Sequence, residues 1–149
     1  MSQQFPTEPT NPYAEQPPTT PQAGPPSYAV QQQPLSPTQE RTMGAVAHGA
    51  PLVAMVLSAG LLGFVGSLVI YLMYKDRGPF VRAHAANSLN VQITTGIILL
   101  VSLPLMFVLV GFLTFALAFV FAFVVHVLGA IKAYNGEWWN PPMTPKFVK

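Results

Sequence analysis

The fold class the sequence predicts is an all-α integral membrane protein, with three transmembrane helices behind a disordered N-terminal tail. Three observations predict it. Residues Ala83 to Ile131 run for forty-nine positions without an Asp, Glu, Lys or Arg. A second uncharged stretch, Pro51 to Tyr74, precedes it. Only 8% of all residues are charged, against about 25% in soluble domains. A bilayer core about 30 Å thick takes roughly 20 apolar residues of helix to cross. The first stretch makes one span. The second, at about 1.5 Å of rise per residue, is more than twice the needed length and has to fold back into two.

The chain divides into a Pro/Gln-rich tail over residues 1–43, a transmembrane domain over 44–135 and a short extended flank over 136–149. Ten of the sixteen prolines fall in the tail. Each removes a backbone donor and restricts the residue before it, and few apolar groups are present to offset ordering entropy. Disorder with local polyproline II character is expected there. Pro25-Pro26-Ser27-Tyr28 matches a ligand for aromatic-lined grooves, so a plain tether and a docking segment are both open. No basic region leads directly into an apolar core at the N-terminus. The first apolar segment is therefore expected to be an uncleaved signal anchor.

Helix 1 is expected from Thr42 or Ala45 to Tyr74, with Thr42 as its N-cap and Pro51 as a possible kink. Ala59, Gly63 and Ser67 recur every four residues and form a helix-packing face of small side chains, with Gly60 and Gly66 beside it. In lipid such a face lets a backbone approach closely, either within the chain or in a homodimer. Lys75-Asp76-Arg77-Gly78 breaks the helix, and Pro79 suits the first turn of the next. At 100° per residue, His84, Asn87, Ser88, Gln92 and Thr95 form one polar stripe bordered by Asn90 and Thr94. Ala85, Leu89, Ile93, Ile97 and Leu100 fall on the opposite side. The stripe is expected to face the other helices. A tight reversal follows within residues 103–111, where Pro104 and Gly111 are the candidate breakers. Helix 3 then runs to about Tyr134, stopped by Asn135-Gly136, with Trp138 and Trp139 at interfacial depth.

Charge sets the expected orientation. Residues 1–43 carry Glu8, Glu15, Glu40 and Arg41, and the remainder carries six basic residues against Asp76 and Glu137. Lys75, Arg77 and Arg82 mark the first loop, and Lys132, Lys146 and Lys149 mark the C-terminal flank. Basic flanks belong on the cytoplasmic side, which puts the C-terminus inside and the tail outside. No basic stripe alternates with aromatics, so nucleic acid is not an expected partner.

Few constellations could carry chemistry. Cysteine is absent, which removes disulfides, thiolate catalysis and cysteine metal sites. Three histidines invite a metal site, but a continuous helix 1 would separate His48 from His84 by most of the membrane. His126 lies about 12 Å above the inner interface by helical rise, level with Asn90. It is expected to bond to the stripe at Asn87, Asn90 or the backbone of Val91. That contact would serve as packing glue or line a hydrated path. Ion-coupled transport usually needs intramembrane acids, and none occurs between Asp76 and Glu137. No carboxylate stands near Ser88 and His84 to build a hydrolytic triad. The expectation is a non-enzyme without catalytic residues, metal or cofactor.

The run Tyr74-Lys75-Asp76, Pro79-Phe80-Val81, His84-Ala85 and Ser88-Leu89-Asn90-Val91-Gln92-Ile93 resembles a segment of small bacterial multi-pass proteins grouped as domain of unknown function 4870. Ala133, Asn135-Gly136-Glu137, Pro142 and Phe147-Val148 resemble that group's closing motif. The group is remotely similar to the Tic20 import component of the chloroplast inner envelope. The resemblance covers residues 40–149 and implies a bacterial plasma-membrane protein of about three helices. Its most distinctive positions are Lys75, Asp76, Pro79, Phe80, His84, Asn90 and Gln92. The leading functional expectation is an interaction or assembly subunit, acting in the bilayer with protein partners or as a homo-oligomer. A component of a translocation channel is the alternative.

Overall fold

The computed structural model describes residues 33–60 and 62–149, and among them it is all-helical, with no strand. The Pro25–Tyr28 motif and most of the expected tail lie outside the described residues. Four helices occur: α1 (Pro37–Leu57), α2 (Gly63–Tyr74), α3 (Pro79–Leu105) and α4 (Val110–Tyr134), with a 3-10 turn, Met106–Val108, joining the last two. Only α3 and α4 are long and apolar enough to cross a membrane.

The first helix starts earlier than Thr42. Ser36 Oγ accepts from the Gln39 backbone N–H, and Gln39 Oε1 accepts from the Ser36 N–H, a reciprocal capping box. Pro37 fits the first helical position, where no backbone donor is needed. Thr42 lies inside the helix, its hydroxyl donating to the Thr38 carbonyl. The expected N-cap is thus corrected by six residues.

A larger correction concerns its end. No single helix reaches Tyr74, because α1 ends at Leu57 and α2 begins only at Gly63. Ser58 Oγ donates to the Ala54 carbonyl and accepts from the Leu62 N–H. Ala59 and Gly60 both take positive φ, 52° and 101°, which suits glycine and strains alanine. The two helices then lie antiparallel. A Cβ on Gly66 would sit 3.2 Å from the Pro51 Cα. At the open end, the Leu35 N–H donates to the Arg77 carbonyl at 2.8 Å and Arg77 Nε donates to the Gln33 carbonyl. The expected span 1 is a helical hairpin.

The second hairpin behaves as expected in outline. The reversal falls within residues 103–111: Pro104 ends up in the last turn of α3, and Leu109 takes a left-handed φ of 64°. Gly111 is required there, because a Cβ would collide with the Ser102 carbonyl and the Met106 nitrogen. α4 stops at Asn135-Gly136, with Gly136 at φ 77° and the Glu137 N–H donating to the Lys132 carbonyl.

The two hairpins set which segments share an end of the bundle. Gln33–Glu40, the α2–α3 turn and the segment after α4 all gather at one end. Lys75, Arg77, Lys146 and Lys149 belong to those segments, and Arg41, Arg82 and Lys132 lie in the helical turns that adjoin them, whereas the Ser58–Leu62 and Leu105–Leu109 stretches carry no charge. Gln33–Glu40 and the segment after α4 therefore share one end of the bundle, where an unbroken helix 1 would have placed them at opposite ends. Around the bundle, Leu57, Leu100, Leu117 and Phe107 are well exposed, an apolar surface that suits lipid and not water.

Candidate functional site

The first half of α3 is the centre of the molecule. Every residue from His84 to Gln92 is buried, enclosed by α1, α2, α4 and the segment after Tyr134. Ala85 and Leu89, expected on a face away from the stripe, are buried as well. Only from Ile97 onward does α3 show an outward apolar face.

Much of the polar stripe meets backbone rather than other helices. Residues 137–149 form an extended strap across it. His84 Nε2 donates to the Glu137 carbonyl at 3.0 Å, and Asn87 Nδ2 donates to the Trp139 carbonyl at 2.5 Å. Asn90 pairs with Val148 in both directions, Nδ2 to the carbonyl and the Val148 N–H to Oδ1, each at 2.8 Å. An amide side chain matched to a peptide unit in this way leaves neither group unpaired. Arg82 Nε and Nη2, with the Tyr71 hydroxyl, donate to the Lys149 carbonyl. Trp139 turns inward against the His48 ring, centroids 5.7 Å apart, and Trp138 meets Phe80 edge-on at 5.2 Å. The carbonyls of this strap leave no side-chain pattern, so sequence reasoning missed them.

Beneath the strap the three histidines meet. His48 lies 5.6 Å from His84 and 5.5 Å from His126 by ring centroids. The hairpin returns α1 to the depth of α3's first turns, which overturns the wide separation expected from a continuous helix. His126 Nε2 accepts from Gln92 Nε2 at 2.8 Å, and its Nδ1 lies 3.3 Å from His48 Nδ1. Gln92 is thus the stripe residue that meets His126, where Asn87, Asn90 or Val91 was expected. Proton positions follow from these partners. With Gln92 donating, His126 carries its proton on Nδ1 and donates to His48, whose own proton then sits on Nε2. His84 must be protonated at Nε2, since a carbonyl can only accept. His48 Nε2, His84 Nδ1 and the Thr95 hydroxyl are buried without partners. Among the described residues no group of three or more His, Asp or Glu is arranged to hold a metal ion.

The remaining stripe and packing residues serve the helix contacts. Ser88 Oγ donates to the Ala47 carbonyl at 2.6 Å and pairs with Ser67 Oγ at 2.9 Å. Gly63 faces Gln92 so closely that a Cβ would come within 2.6 Å of its amide. Gly63 and Ser67 therefore contact α3, while Ala59 lies in the hairpin turn and off that face. Glu40, unassigned from sequence, accepts from the Phe80 and Val81 N–H groups at 2.8 and 3.0 Å. A carboxylate there satisfies two orphan donors and complements the α3 dipole. Lys75, Asp76 and Pro79 form the turn into α3, and Phe80 stacks at 4.6 Å on His84. Outside the spans, Lys132 Nζ donates to Glu137 Oε2 at 2.5 Å and holds that carboxyl below its ordinary value of 4.5.

Comparison with known proteins decides the family. The model of the magnetosome magnetite crystal formation protein family, MamF/MmsF, matches residues 39–148, from α1 through the strap. The chain belongs to the magnetosome magnetite crystal formation protein family. The resemblance to domain of unknown function 4870 and to Tic20 is overturned by this match. Its motif residues form a turn, a helix start and a packing seam, features that report architecture more than lineage. No curated protein and no solved structure matches the chain. The magnetosome family match and the two long apolar helices make this chain a helical membrane protein.

Proposed function

We propose that this protein acts without catalysis in magnetite crystal formation, as a rigid membrane-embedded element that presents one charged face to its partners, which include other copies of itself. The observation that carries this reading is the collection of all seven cations at one end of the bundle. The opposite turns carry no charged residue. Whatever the protein contacts outside lipid, it contacts with the charged end.

In this reading α3 and α4 cross the bilayer of the magnetosome, and α1–α2 is a re-entrant hairpin. The uncharged part of α1, Thr42–Leu57, is about 24 Å long, short of a 30 Å core. The Gly60 tip packs on Leu99, about 9 Å before the end of α3. The charged end faces the cytoplasm. Gln92, Asn87, Asn90 and His84 are bonded inside the chain, which supports packing over a hydrated translocation path.

The test is made in magnetite-forming cells. Replacing Lys132, Glu137 and Lys146 together by Gln keeps the spans intact and strips part of the face. Crystals imaged by electron microscopy should change in size or shape, although the variant reaches the membrane at normal levels. If cells lacking the protein make crystals identical to the parent's, the proposal is wrong.

A further inference from the structure

A recess of about 470 Å³ opens beside the α2–α3 turn, lined by Lys75, Asp76, Gly78, Pro79, Arg82, Ala83 and Lys149. Three of these side chains are cationic and one is anionic, so the recess carries a net positive charge. Among the described residues the one side-chain ion pair is Lys132–Glu137; Arg82 is held by the Lys149 backbone oxygen, and the Lys75 and Lys149 ammonium groups have no acid side chain paired with them there. The cationic side chains around this concavity outnumber its one carboxylate, Asp76, and their mutual repulsion falls when an anion sits between them.

Depth indicates which anion. Ala83 is the first residue of the long neutral run, and Lys75 directly follows α2. The recess therefore lies at the level of the headgroups, not in water beyond them. Leu72 and Met73, about one turn deeper on α2, are exposed apolar side chains that give acyl chains a flank to lie against. Arg82 is already oriented by its bonds to the Lys149 carbonyl, so less rotamer entropy is lost on binding. Basic pockets at the cytoplasmic ends of membrane helices take anionic headgroups.

We propose that this recess binds the phosphate of an anionic phospholipid, with Lys75, Arg82 and Lys149 as its cationic ligands. Asp76 on the rim disfavours a second negative charge and so selects a phosphodiester over a more highly charged phosphate. The site is independent of the crystal-forming role and holds wherever the chain is inserted.

The test uses the full chain in nanodiscs of phosphatidylglycerol and phosphatidylcholine in equal parts, released into native mass spectrometry. Phosphatidylglycerol should be retained preferentially. Lys75→Gln and Lys149→Gln should each lower its retention about fivefold. Lys132→Gln with Lys146→Gln removes two cations from the same end but not from the recess, and should change nothing. Equal loss in both sets would mean diffuse attraction without a site, and the proposal would fail. Millimolar inorganic phosphate should not displace the lipid; if it does so and is itself retained, a free phosphate site replaces the lipid site.

Discussion

Gln92 donates a hydrogen bond to His126, and that one donation fixes the tautomers of two buried rings. Replacing His126 by Leu strands the Gln92 amide and His48 Nδ1. A buried group that loses its partner costs about 1–3 kcal/mol in soluble proteins, but bilayer measurements average about 0.6 and reach about 1.7. The bilayer range applies here, so His126→Leu should lower stability by about 0.6–1.7 kcal/mol in mild detergent. Combined with Gln92→Leu the loss should fall short of the sum, since both changes break one contact; strict additivity would show that the contact contributes nothing. At the surface, the Glu137 carboxyl titrates below its ordinary value of 4.5 because Lys132 bonds to its charged form. A lowered folded-state value adds stability above the unfolded value, and that stability disappears as pH falls through the folded one. An NMR titration should place the Glu137 inflection below 4.5, and Lys132→Gln should raise it. At this scale the sequence was half legible. The 100° spacing identified which residues share the polar stripe, but the strap carbonyls that His84, Asn87 and Asn90 bond are invisible to any side-chain pattern.

Glycines report on the elements. Gly96 lies in the middle of α3 with nothing within 4 Å of an added Cβ, whereas Gly111 would drive one into the Ser102 carbonyl and the Met106 nitrogen. The same substitution should therefore have opposite signs. Gly96→Ala should stabilise by roughly 0.5–1 kcal/mol through helix propensity alone. Gly111→Ala must move backbone to be accommodated, and should destabilise and loosen the α3–α4 turn. Thermal unfolding of the two variants side by side checks this; a shared sign would mean that the turn is not packed as described. α3 and α4 were readable from length and hydropathy, and Asn135-Gly136 marked a real stop. The Ser58–Leu62 break was not, because no proline or charge interrupts the apolar run there. The signal was present in Ser58 and Gly60, a capping hydroxyl and a residue free to take φ 101°, but as small residues in lipid they equally suggested a packing face.

For the whole molecule, the hairpin brings the described ends of both flanks to one end of the bundle. An unbroken first helix gives three crossings and opposite faces for the two flanks, while two hairpins give an even count and one shared face. The contacts that hold the two ends together are the Leu35–Arg77 backbone bond and the Glu40 carboxylate on the α3 N-terminus. Breaking one while sparing the other should weaken the arrangement without inverting it. Glu40→Ala exposes two donors and removes a charge from the helix dipole, a loss of about 1–2 kcal/mol. Sidedness itself can be read cleanly, because the chain has no cysteine of its own. Single cysteines in place of Ser36, Phe107 and Lys146, probed with a membrane-impermeant maleimide on sealed vesicles, sample both flanks and the far turn. Ser36 and Lys146 should label from the same face. Phe107, 94% exposed on the bundle yet surrounded by apolar neighbours, should label from the other face or from neither. Labelling of the two flanks from opposite faces would restore a three-crossing chain, and the single charged end on which the proposed contacts depend would no longer exist.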